Sequence, residues 1–319
     1  MLGQNEIEAA AARILPYVRH TPILRLDGEE LGLGFPVWLK LELMQHTGSF
    51  KPRGAFNRLL LAKPALPRGL QPPGVPPGVI AASGGNHGAA VAYAARALGM
   101  GAEIFVPDPT PAAKIARIAS YGARVVQGGA AYSDALEASR IRQAETGALE
   151  VHAYDDIDVL AGQGTVAREF EADAPDLTHI LVATGGGGLI GGIAAWYGSR
   201  AAVISVEPEG CPTLHAALEA GAPVAAPVGG IAADSLGARQ VGAWMFPIAV
   251  AHVAQAVLVS DAAILEAQRL LWDRLRLIVE PGGATALAAL LSRAFVPPRG
   301  ARVGVIVCGA NTDPGKIAA

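Results

Sequence analysis

The sequence predicts an α/β protein built on parallel β-sheets. Short β-rich runs alternate with helical segments from residue 79 onward, and this alternation is the pattern of βαβ units. Glycines 99 and 122 stand where two of the helical segments end. Gly-rich or polar loops follow several of the strands, where open α/β sheets bind their ligands.

The chain before residue 79 contains a smaller set of predicted elements. In order they are a helix over 5–19 interrupted by Pro16, a turn at 20–22, a strand over 37–43 and a helix over 54–62. The segment 64–78 holds six prolines and three glycines, which is too many for a regular element, so a linker is expected.

The alternating part of the chain predicts six further strands and seven further helices. The strands are expected at 79–82, 102–106, 124–126, 179–183, 203–206 and 303–307. The helices are expected at 86–98, 111–121, 134–145, 162–171, 189–197, 262–275 and 283–292. No repeat of solenoid period accompanies them.

One uncharged segment, 180–198, has roughly the length of a membrane span. Its four consecutive glycines, 185–188, would each cost a helix interior about 1 kcal/mol relative to alanine. The segment is therefore predicted to be a strand, a Gly-rich loop and a buried helix, with no membrane partner.

Composition and charge point to a small-molecule partner. The chain has 319 residues, 51% hydrophobic residues and a net charge of -3 from 25 basic and 28 acidic residues. This balance provides no basic surface for nucleic acid or anionic membrane. Two widely separated cysteines and an N-terminus without a signal-peptide pattern indicate a cytoplasmic setting.

The segment Thr47-Gly48-Ser49-Phe50-Lys51-Pro52-Arg53-Gly54 is the strongest candidate for chemistry. The chain has only five lysines, and Lys51 alone lies among small residues beside an aromatic ring. An amine held there could form a Schiff base with a carbonyl compound. A solvated lysine in a Gly-rich turn is the alternative, so other residues must decide.

Three loops that follow predicted strands are candidate binding sites. In Ser83-Gly84-Gly85-Asn86-His87, Asn86 could cap the next helix while backbone amides face an anion, although an ordinary helix start explains the loop equally well. In Gly185-Gly186-Gly187-Gly188-Leu189, backbone amides can approach a phosphate at a helix N-terminus. Cys308 follows the last strand and, taken alone, is a small buried side chain.

A dinucleotide-binding pattern competes for the glycine run. The spacing Gly186-x-Gly188-x-x-Gly191 matches the fingerprint, and Glu207 follows about twenty residues later. This alternative, an NAD-dependent oxidoreductase, leaves Lys51, Asn86 and Cys308 unexplained. A lysine amine, an aromatic neighbour, a phosphate-binding loop and a weak partner for a pyridine nitrogen together point to pyridoxal phosphate.

Six motifs in order carry a family resemblance over nearly the whole chain, from about His20 to Asn311. They are TGSFKPRGAFN, SGGNHGAA, AGQGT, TGGGGLIGG, VEPGGATAL and VCGAN. The chain resembles the fold-type-II pyridoxal phosphate enzymes of the serine/threonine dehydratase (threonine ammonia-lyase) and serine racemase group. That likeness implies a tryptophan synthase β-like α/β fold with two open, twisted, mostly parallel sheets and the cofactor between the domains.

The resemblance also implies roles for individual residues. Lys51 would hold the cofactor covalently and act as the catalytic base, and Phe50 would lie against its pyridine ring. Asn86 would bind the 3′-oxygen of the cofactor and contribute, with its neighbours, to the substrate carboxylate loop. Cys308 would face the pyridine nitrogen. The phosphate cradle would comprise Gly185, Gly186, Gly187, Gly188 and Leu189, and the remaining carboxylate-loop residues would be Ser83, Gly84, Gly85 and His87.

The implied reaction is β-elimination from a β-hydroxy amino acid such as L-threonine or L-serine, giving a 2-oxo acid and ammonia in amino-acid catabolism. Hydroxyaspartate, phenylserine and a hydroxyectoine-derived compound are alternative substrates, and serine racemisation is an alternative activity. Gly84 stands where the racemases of the group have a second serine, so racemisation is not expected.

Other positions depart from the family. Thr213 replaces an aspartate of the group's divalent-cation site, whose other ligands would match Glu207 and the Cys211 carbonyl; a monovalent ion or none is therefore expected instead of Mg²⁺. Ala135 lies where the family has an arginine that recognises a side chain or effector. No regulatory domain is expected after Asn311.

The resemblance implies a division of the chain into two domains. Residues 1–52 and 149–319 would form the large cofactor-binding domain, and residues 53–148 the small one. Enzymes of this group form homodimers, so the resemblance implies a homodimer for this chain.

Overall fold

The computed structural model describes residues 2–62 and 78–316, and in this part of the chain two separate β-sheets are surrounded by helices. The linker predicted at 64–78 lies almost entirely outside the described residues. The strands are β1 (Ile23–Leu26), β2 (Val37–Lys40), β3 (Val79–Ala82), β4 (Ala102–Val106), β5 (Arg124–Gln127), β6 (Leu149–Glu150), β7 (His179–Ala183), β8 (Ala202–Pro208), β9 (Val253–Val259) and β10 (Val303–Ile306).

The helices of the described residues are interleaved with these strands. They are α1 (Gln4–Ile14), α2 (Lys51–Ala62), α3 (Asn86–Ala97), α4 (Ala112–Ser120), α5 (Tyr132–Thr146), α6 (Ile157–Asp173), α7 (Gly188–Tyr197), α8 (Thr213–Ala220), α9 (Ala233–Leu236), α10 (Phe246–His252), α11 (Asp261–Leu275) and α12 (Pro281–Leu291). Gly99 and Gly122 follow α3 and α4 with φ of 70° and 86°, the left-handed conformation that ends helices at glycine.

The larger sheet has six strands in the order β1-β2-β10-β7-β8-β9. β1 pairs with β2 in the antiparallel direction, and every other pairing in this sheet is parallel. The inner strands are almost entirely buried because helices cover the sheet, which explains their unbroken apolar sequences.

The smaller sheet has four parallel strands in the order β5-β4-β3-β6. Helices α3 and α5 both pack against β3 and β4. Two mainly parallel sheets confirm the predicted fold class.

The uncharged segment 180–198 divides as predicted into β7, a loop and α7. None of the described helices is long and apolar enough to cross a membrane.

Candidate active site

Three candidate segments meet at one edge of the large sheet: those around Lys51, Cys308 and the glycine run. They meet there because the strands before them run in the same direction. β2, β10 and β7 are neighbouring parallel strands. β2 leads toward Lys51, β10 toward Cys308 and β7 toward the glycine run. The geometry therefore brings together residues that are far apart in the sequence, at the edge where parallel sheets bind ligands.

The backbone before Lys51 is attached to the backbone around Cys308. The amide of Phe50 donates to the carbonyl of Cys308 at 3.2 Å, and the amide of Ala310 donates to the carbonyl of Gly48 at 2.9 Å. Thr47 and Gly48 both have positive φ, 60° and 73°, and their turn sends the chain into α2. Lys51 begins this helix and is thus placed on a rigid element rather than in a loop.

A buried ionic network also positions the start of α2. The Arg53 guanidinium, fully buried, forms ion pairs with Glu42 at 2.8 Å and with Glu169 of α6 at 2.7 Å. Lys40, also fully buried, contacts Glu169 at 3.1 Å. Because each buried charge has an opposite partner, the network fixes the position of α2 relative to β2 and α6.

The Lys51 amine is prepared for use as a nucleophile or base. Its Nζ donates to the carbonyl of Ala153 at 2.8 Å. Burial lowers the pKa of Lys51 to about 8, although Cys308 and Glu280 act in the opposite direction. About a tenth of the amine is therefore neutral at pH 7, far more than for an exposed lysine with a pKa of about 10.4.

Phe50 and Cys308 both lie near this amine. The Lys51 Nζ is 5.1 Å from the centre of the Phe50 ring, which is itself buried. The Cys308 thiol donates to the carbonyl of Gly282 at 3.5 Å, and burial raises its pKa well above the usual range. Cys308 is consequently a neutral thiol.

The glycine run wraps around the start of α7. Gly187, at the N-cap, has φ of 89°, and a Cβ on Gly185 would lie 2.8 Å from the Leu236 carbonyl oxygen. Cβ atoms on Gly186 and Gly188 would meet Tyr154, and one on Gly187 would meet Met245. Side chains at these positions would collide with their neighbours, and the loop lies at a helix N-terminus, where an anion is favoured.

The loop after β3 faces the same region from the smaller sheet. The Ser83 hydroxyl accepts from the amide of Gly85 at 3.2 Å. His87 is buried, its Nε2 donates to the Val151 carbonyl at 2.7 Å, and burial lowers its pKa to about 3. His87 is therefore neutral, and it stabilises the loop without adding charge.

Gly84 is crowded by a neighbouring side chain. A Cβ on Gly84 would lie 2.8 Å from Thr110 Cγ2 and 3.0 Å from Thr110 Oγ1. Its φ is not positive, so the chain conformation does not itself demand glycine. Thr110 fills the space that a residue with a side chain would occupy at this position.

The interpretation of Asn86 as a helix cap is wrong, because Asn86 is the first residue of α3 and Gly85 is the N-cap. The Asn86 amide instead reaches across the site. Its Nδ2 donates to Glu280 Oε1 at 2.6 Å, and its Oδ1 accepts from Asn311 Nδ2. Glu280 was not identified from the sequence as a site residue, although it belongs to the motif VEPGGATAL and is the carboxylate of the apolar stretch before Pro281.

Glu207, in β8, is buried and forms no ion pair among the described residues. It is fully buried, and its two carboxylate oxygens accept from the amides of Leu214 at 2.6 Å and His215 at 2.8 Å. Burial raises its pKa to about 7, against these amide bonds. The carboxylate thus caps α8, and an acidic group for the ribose of a dinucleotide is not available here.

The remaining positions of the predicted cation and effector sites have structural surroundings. Thr213 donates to the carbonyls of Cys211 and Ala238, and among the described residues no group of three or more ligating side chains could hold a metal ion. Ala135 packs in the small-sheet core beside Phe105.

Comparisons with known proteins agree with this arrangement. Residues 14–309 match the family described as pyridoxal-phosphate dependent enzyme. The L-threonine ammonia-lyase of Geobacter sulfurreducens is 38% identical over 98% of this chain and 76% of its own length. The L-threo-3-hydroxyaspartate ammonia-lyase of a Pseudomonas species is 36% identical over 98% and 97%. The structure of maize serine racemase superposes with a TM-score of 0.89 at 32% identity, covering 99% of this chain and 95% of that one.

Proposed function

This chain belongs to the pyridoxal-phosphate dependent enzymes, and within that family we propose that it is an ammonia-lyase acting on a β-hydroxy amino acid. The observation that carries the proposal is the position of the Lys51 amine. The amine is partly buried, donates to the Ala153 carbonyl and lies close enough to Cys308 and Glu280 for both to act on its pKa, which burial lowers to about 8. A buried lysine in these surroundings has the properties of a covalent cofactor anchor.

The residues present fit the cofactor. The glycine run offers amides at the start of α7 to a phosphate, and side chains there would collide with their neighbours. Cys308 offers a neutral thiol to a pyridine nitrogen. Buried polar atoms also lie beside Lys51 without a partner among the described residues, and they would accept ligands: Thr47 Oγ1, Ser49 Oγ and Asn311 Oδ1.

Each part of the site has a task in the proposed reaction. When bound, pyridoxal phosphate links to the amino group of the substrate and withdraws electrons from its Cα–H bond. The Lys51 amine removes the Cα proton and holds it at Nζ, which requires the neutral form of the amine. The amides around Ser83 and Gly85 receive the substrate carboxylate. The neutral His87 keeps that loop in place.

The overall reaction balances without an external oxidant or reductant. The substrate loses its Cα proton and its β-hydroxyl group, which together leave as water. The unsaturated amine that remains takes up water and gives a 2-oxo acid and ammonia. No redox cofactor is needed for this sequence of steps.

We propose that the substrate side chain is uncharged, as in threonine or serine. Two acidic groups already lie near the site. Glu280 raises the pKa of Lys51, and Asp234 raises the pKa of Glu280. The Lys114 ammonium on α4 is already paired with Asp234. A second carboxylate on the substrate would therefore be repelled by Glu280 and Asp234.

Several broader expectations accompany the proposal. The division into a large domain, 1–52 with 149–319, and a small domain, 53–148, is supported by the separate four-stranded sheet formed between 79 and 150. A homodimer is supported by exposed apolar side chains at Trp244 and Val250. We also propose a cytoplasmic, catabolic role, and the cytoplasmic setting is supported by Cys211 and Cys308, which are both free and not joined in a disulfide. A monovalent cation near Glu207 remains a prediction.

A substrate panel tests the proposal. Purified protein loaded with pyridoxal phosphate is assayed for 2-oxo acid and ammonia with L-threonine, L-serine, phenylserine, hydroxyaspartate and the hydroxyectoine-derived compound. We expect release from threonine or serine at a kcat/KM at least tenfold above that for hydroxyaspartate. Cofactor binding with no product from any compound would contradict an ammonia-lyase, and preference for hydroxyaspartate would contradict the uncharged side chain.

A further inference from the structure

Glu280 is a buried carboxyl group that neither caps its helix nor pairs with a cation in the described part of the chain. It is 5% exposed and stands at the N-cap of α12, yet its side chain makes no capping hydrogen bond. Burying a carboxyl group that neither caps a helix nor pairs with a cation costs free energy, which indicates a role for Glu280 in the site.

The carboxyl group points away from α12 and toward Asn86. Its Oε1 accepts from Asn86 Nδ2 at 2.6 Å and lies against the backbone of Gly309, where a Cβ would overlap it. Asn311 holds the other end of the Asn86 amide through Oδ1, and Asn311 Nδ2 also donates to the Thr47 carbonyl at 3.0 Å. Both the nitrogen and the oxygen of the Asn86 amide are therefore hydrogen-bonded.

These two hydrogen bonds determine which donor of the Asn86 amide is left for a ligand. A carboxamide nitrogen has two N–H groups, and the described contacts use one of them, for Glu280. With Oδ1 assigned to Asn311, the amide cannot turn over without losing both bonds. The second N–H is left for the site, in a fixed direction.

We propose that Glu280 is a positioning residue that orients the Asn86 amide so that its second N–H donates to the phenolic oxygen of pyridoxal phosphate. This inference rests on the proposed function and extends it to a residue that the sequence analysis did not assign to the site. The chain's α12, through its N-cap, thereby controls a contact made by α3.

Titratable groups on four other elements lie near this carboxyl group, and its own titration makes the contact pH-sensitive. They are Lys51 of α2, Cys308 after β10, Asp234 of α9 and Lys114 of α4. Burial raises the pKa of Glu280 to about 7, while the bond from Asn86 opposes this. Above that pH the carboxylate is charged and accepts a stronger bond, so the hold on Asn86 tightens as the pH rises.

A double-mutant cycle on cofactor binding tests the inference. The dissociation constant of pyridoxal phosphate from the apoprotein is measured by fluorescence for wild type, Glu280→Ala, Asn86→Ala and the double variant. We expect roughly tenfold weaker binding in each single variant and no further weakening in the double variant, since both remove the same contact. Additive losses in the double variant would overturn the inference.

Glu280→Gln keeps the acceptor oxygen but removes the charge, and it protects the test against misfolding of the alanine variants. It should bind the cofactor within about threefold of wild type while losing the change in affinity centred near pH 7. Glu207→Gln is the matched control, because Glu207 is also buried with its pKa raised to about 7 but does not contact Asn86. It should keep the pH-dependent change.

The outcomes separate this inference from the proposed function. Coupled losses of affinity in a protein that releases no 2-oxo acid would support Glu280 and contradict the ammonia-lyase. Normal elimination with additive losses, or with the same pH response in Glu280→Gln as in wild type, would contradict Glu280 alone. Failure of the wild type to bind pyridoxal phosphate would contradict both.

Discussion

Replacing Gly84 with serine tests the close approach of Thr110 and the absence of racemase chemistry together. The substitution adds a Cβ 2.8 Å from Thr110 Cγ2 and 3.0 Å from Thr110 Oγ1. Carbon atoms prefer separations of about 3.5–4.0 Å, so the methyl group must retreat by roughly 0.7 Å or more. Because φ at Gly84 is not positive, this overlap is the whole steric argument.

The expected cost follows from overpacking. Forcing one extra group into a filled space destabilises a protein by about 1–3 kcal/mol. Thr110→Ala removes both overlapping atoms, so adding it to Gly84→Ser should recover most of the loss. The coupling between the two substitutions should then be about 1–2 kcal/mol.

Thermal or urea unfolding of wild type, both single variants and the double variant measures this coupling. Gly84→Ala is the matched control for sterics, since it adds the same Cβ without a hydroxyl group. If Gly84→Ser is as stable as wild type, or if Thr110→Ala leaves its loss unchanged, the reasoning from the Thr110 contact is refuted.

The same variants separate elimination from racemisation. Racemisation needs a proton donor on each face of Cα, and Lys51 supplies one of them. We expect Gly84→Ser with Thr110→Ala to form the opposite enantiomer of serine measurably, and the alanine control with Thr110→Ala to form none. Chiral chromatography of residual substrate after partial turnover provides the readout. Rapid enantiomer exchange by the wild type would contradict the assignment of Gly84.

Three further substitutions give distinct expectations. Cys308→Ser should keep elimination and the visible spectrum of the bound cofactor, whereas Cys308→Asp should alter both by favouring a protonated pyridine nitrogen; full activity with an unchanged spectrum in Cys308→Asp would leave Cys308 a packing residue. Arg53→Met removes the ion-pair partner of the buried Glu42 and leaves Glu169 paired with Lys40 alone, so it should destabilise by about 3–5 kcal/mol in urea unfolding. Arg168→Met, from an exposed ion pair with Glu8, should cost about 0–1 kcal/mol. Equal losses in the two variants would contradict the network. Glu207 binds its proton more tightly when folded, so its contribution to stability falls as the pH rises from its unfolded pKa, near 4.5, to about 7; Glu207→Gln should flatten that part of the stability curve, and an unchanged slope would contradict the raised pKa.

Local sequence signals predicted most of the elements and several of their ends. Strands β3, β4 and β7 occupy the predicted residues, since short apolar runs bounded by glycine or polar residues leave little choice of where a strand begins and ends. The helix predicted from Gly54 begins instead at Lys51, because proline is accepted in the first turn of a helix and was taken as the end of a loop. α6 begins at Ile157, where Asp156 caps it by accepting from Asp158 and Val159.

The contacts within the site were harder to predict than its members. Motif order predicted Lys51, Asn86 and Cys308 as site residues, but not the bond between Asn86 and Glu280, which are 194 residues apart. Thr110 was missed for the same reason, since its place beside Gly84 depends on how the loops after β3 and β4 pack. Such pairings are set by tertiary packing and leave no local pattern.

The attachment of pyridoxal phosphate to Lys51 tests the central claim most directly. The loaded protein is reduced with borohydride, digested and examined by mass spectrometry, and the rate of attachment to the apoprotein is followed by absorbance from pH 6 to 10. The account predicts the label on Lys51 alone among the five lysines, attachment that accelerates with pH and levels off above about 8, and no 2-oxo acid from Lys51→Ala. A label on another lysine, or turnover retained in Lys51→Ala, would contradict it.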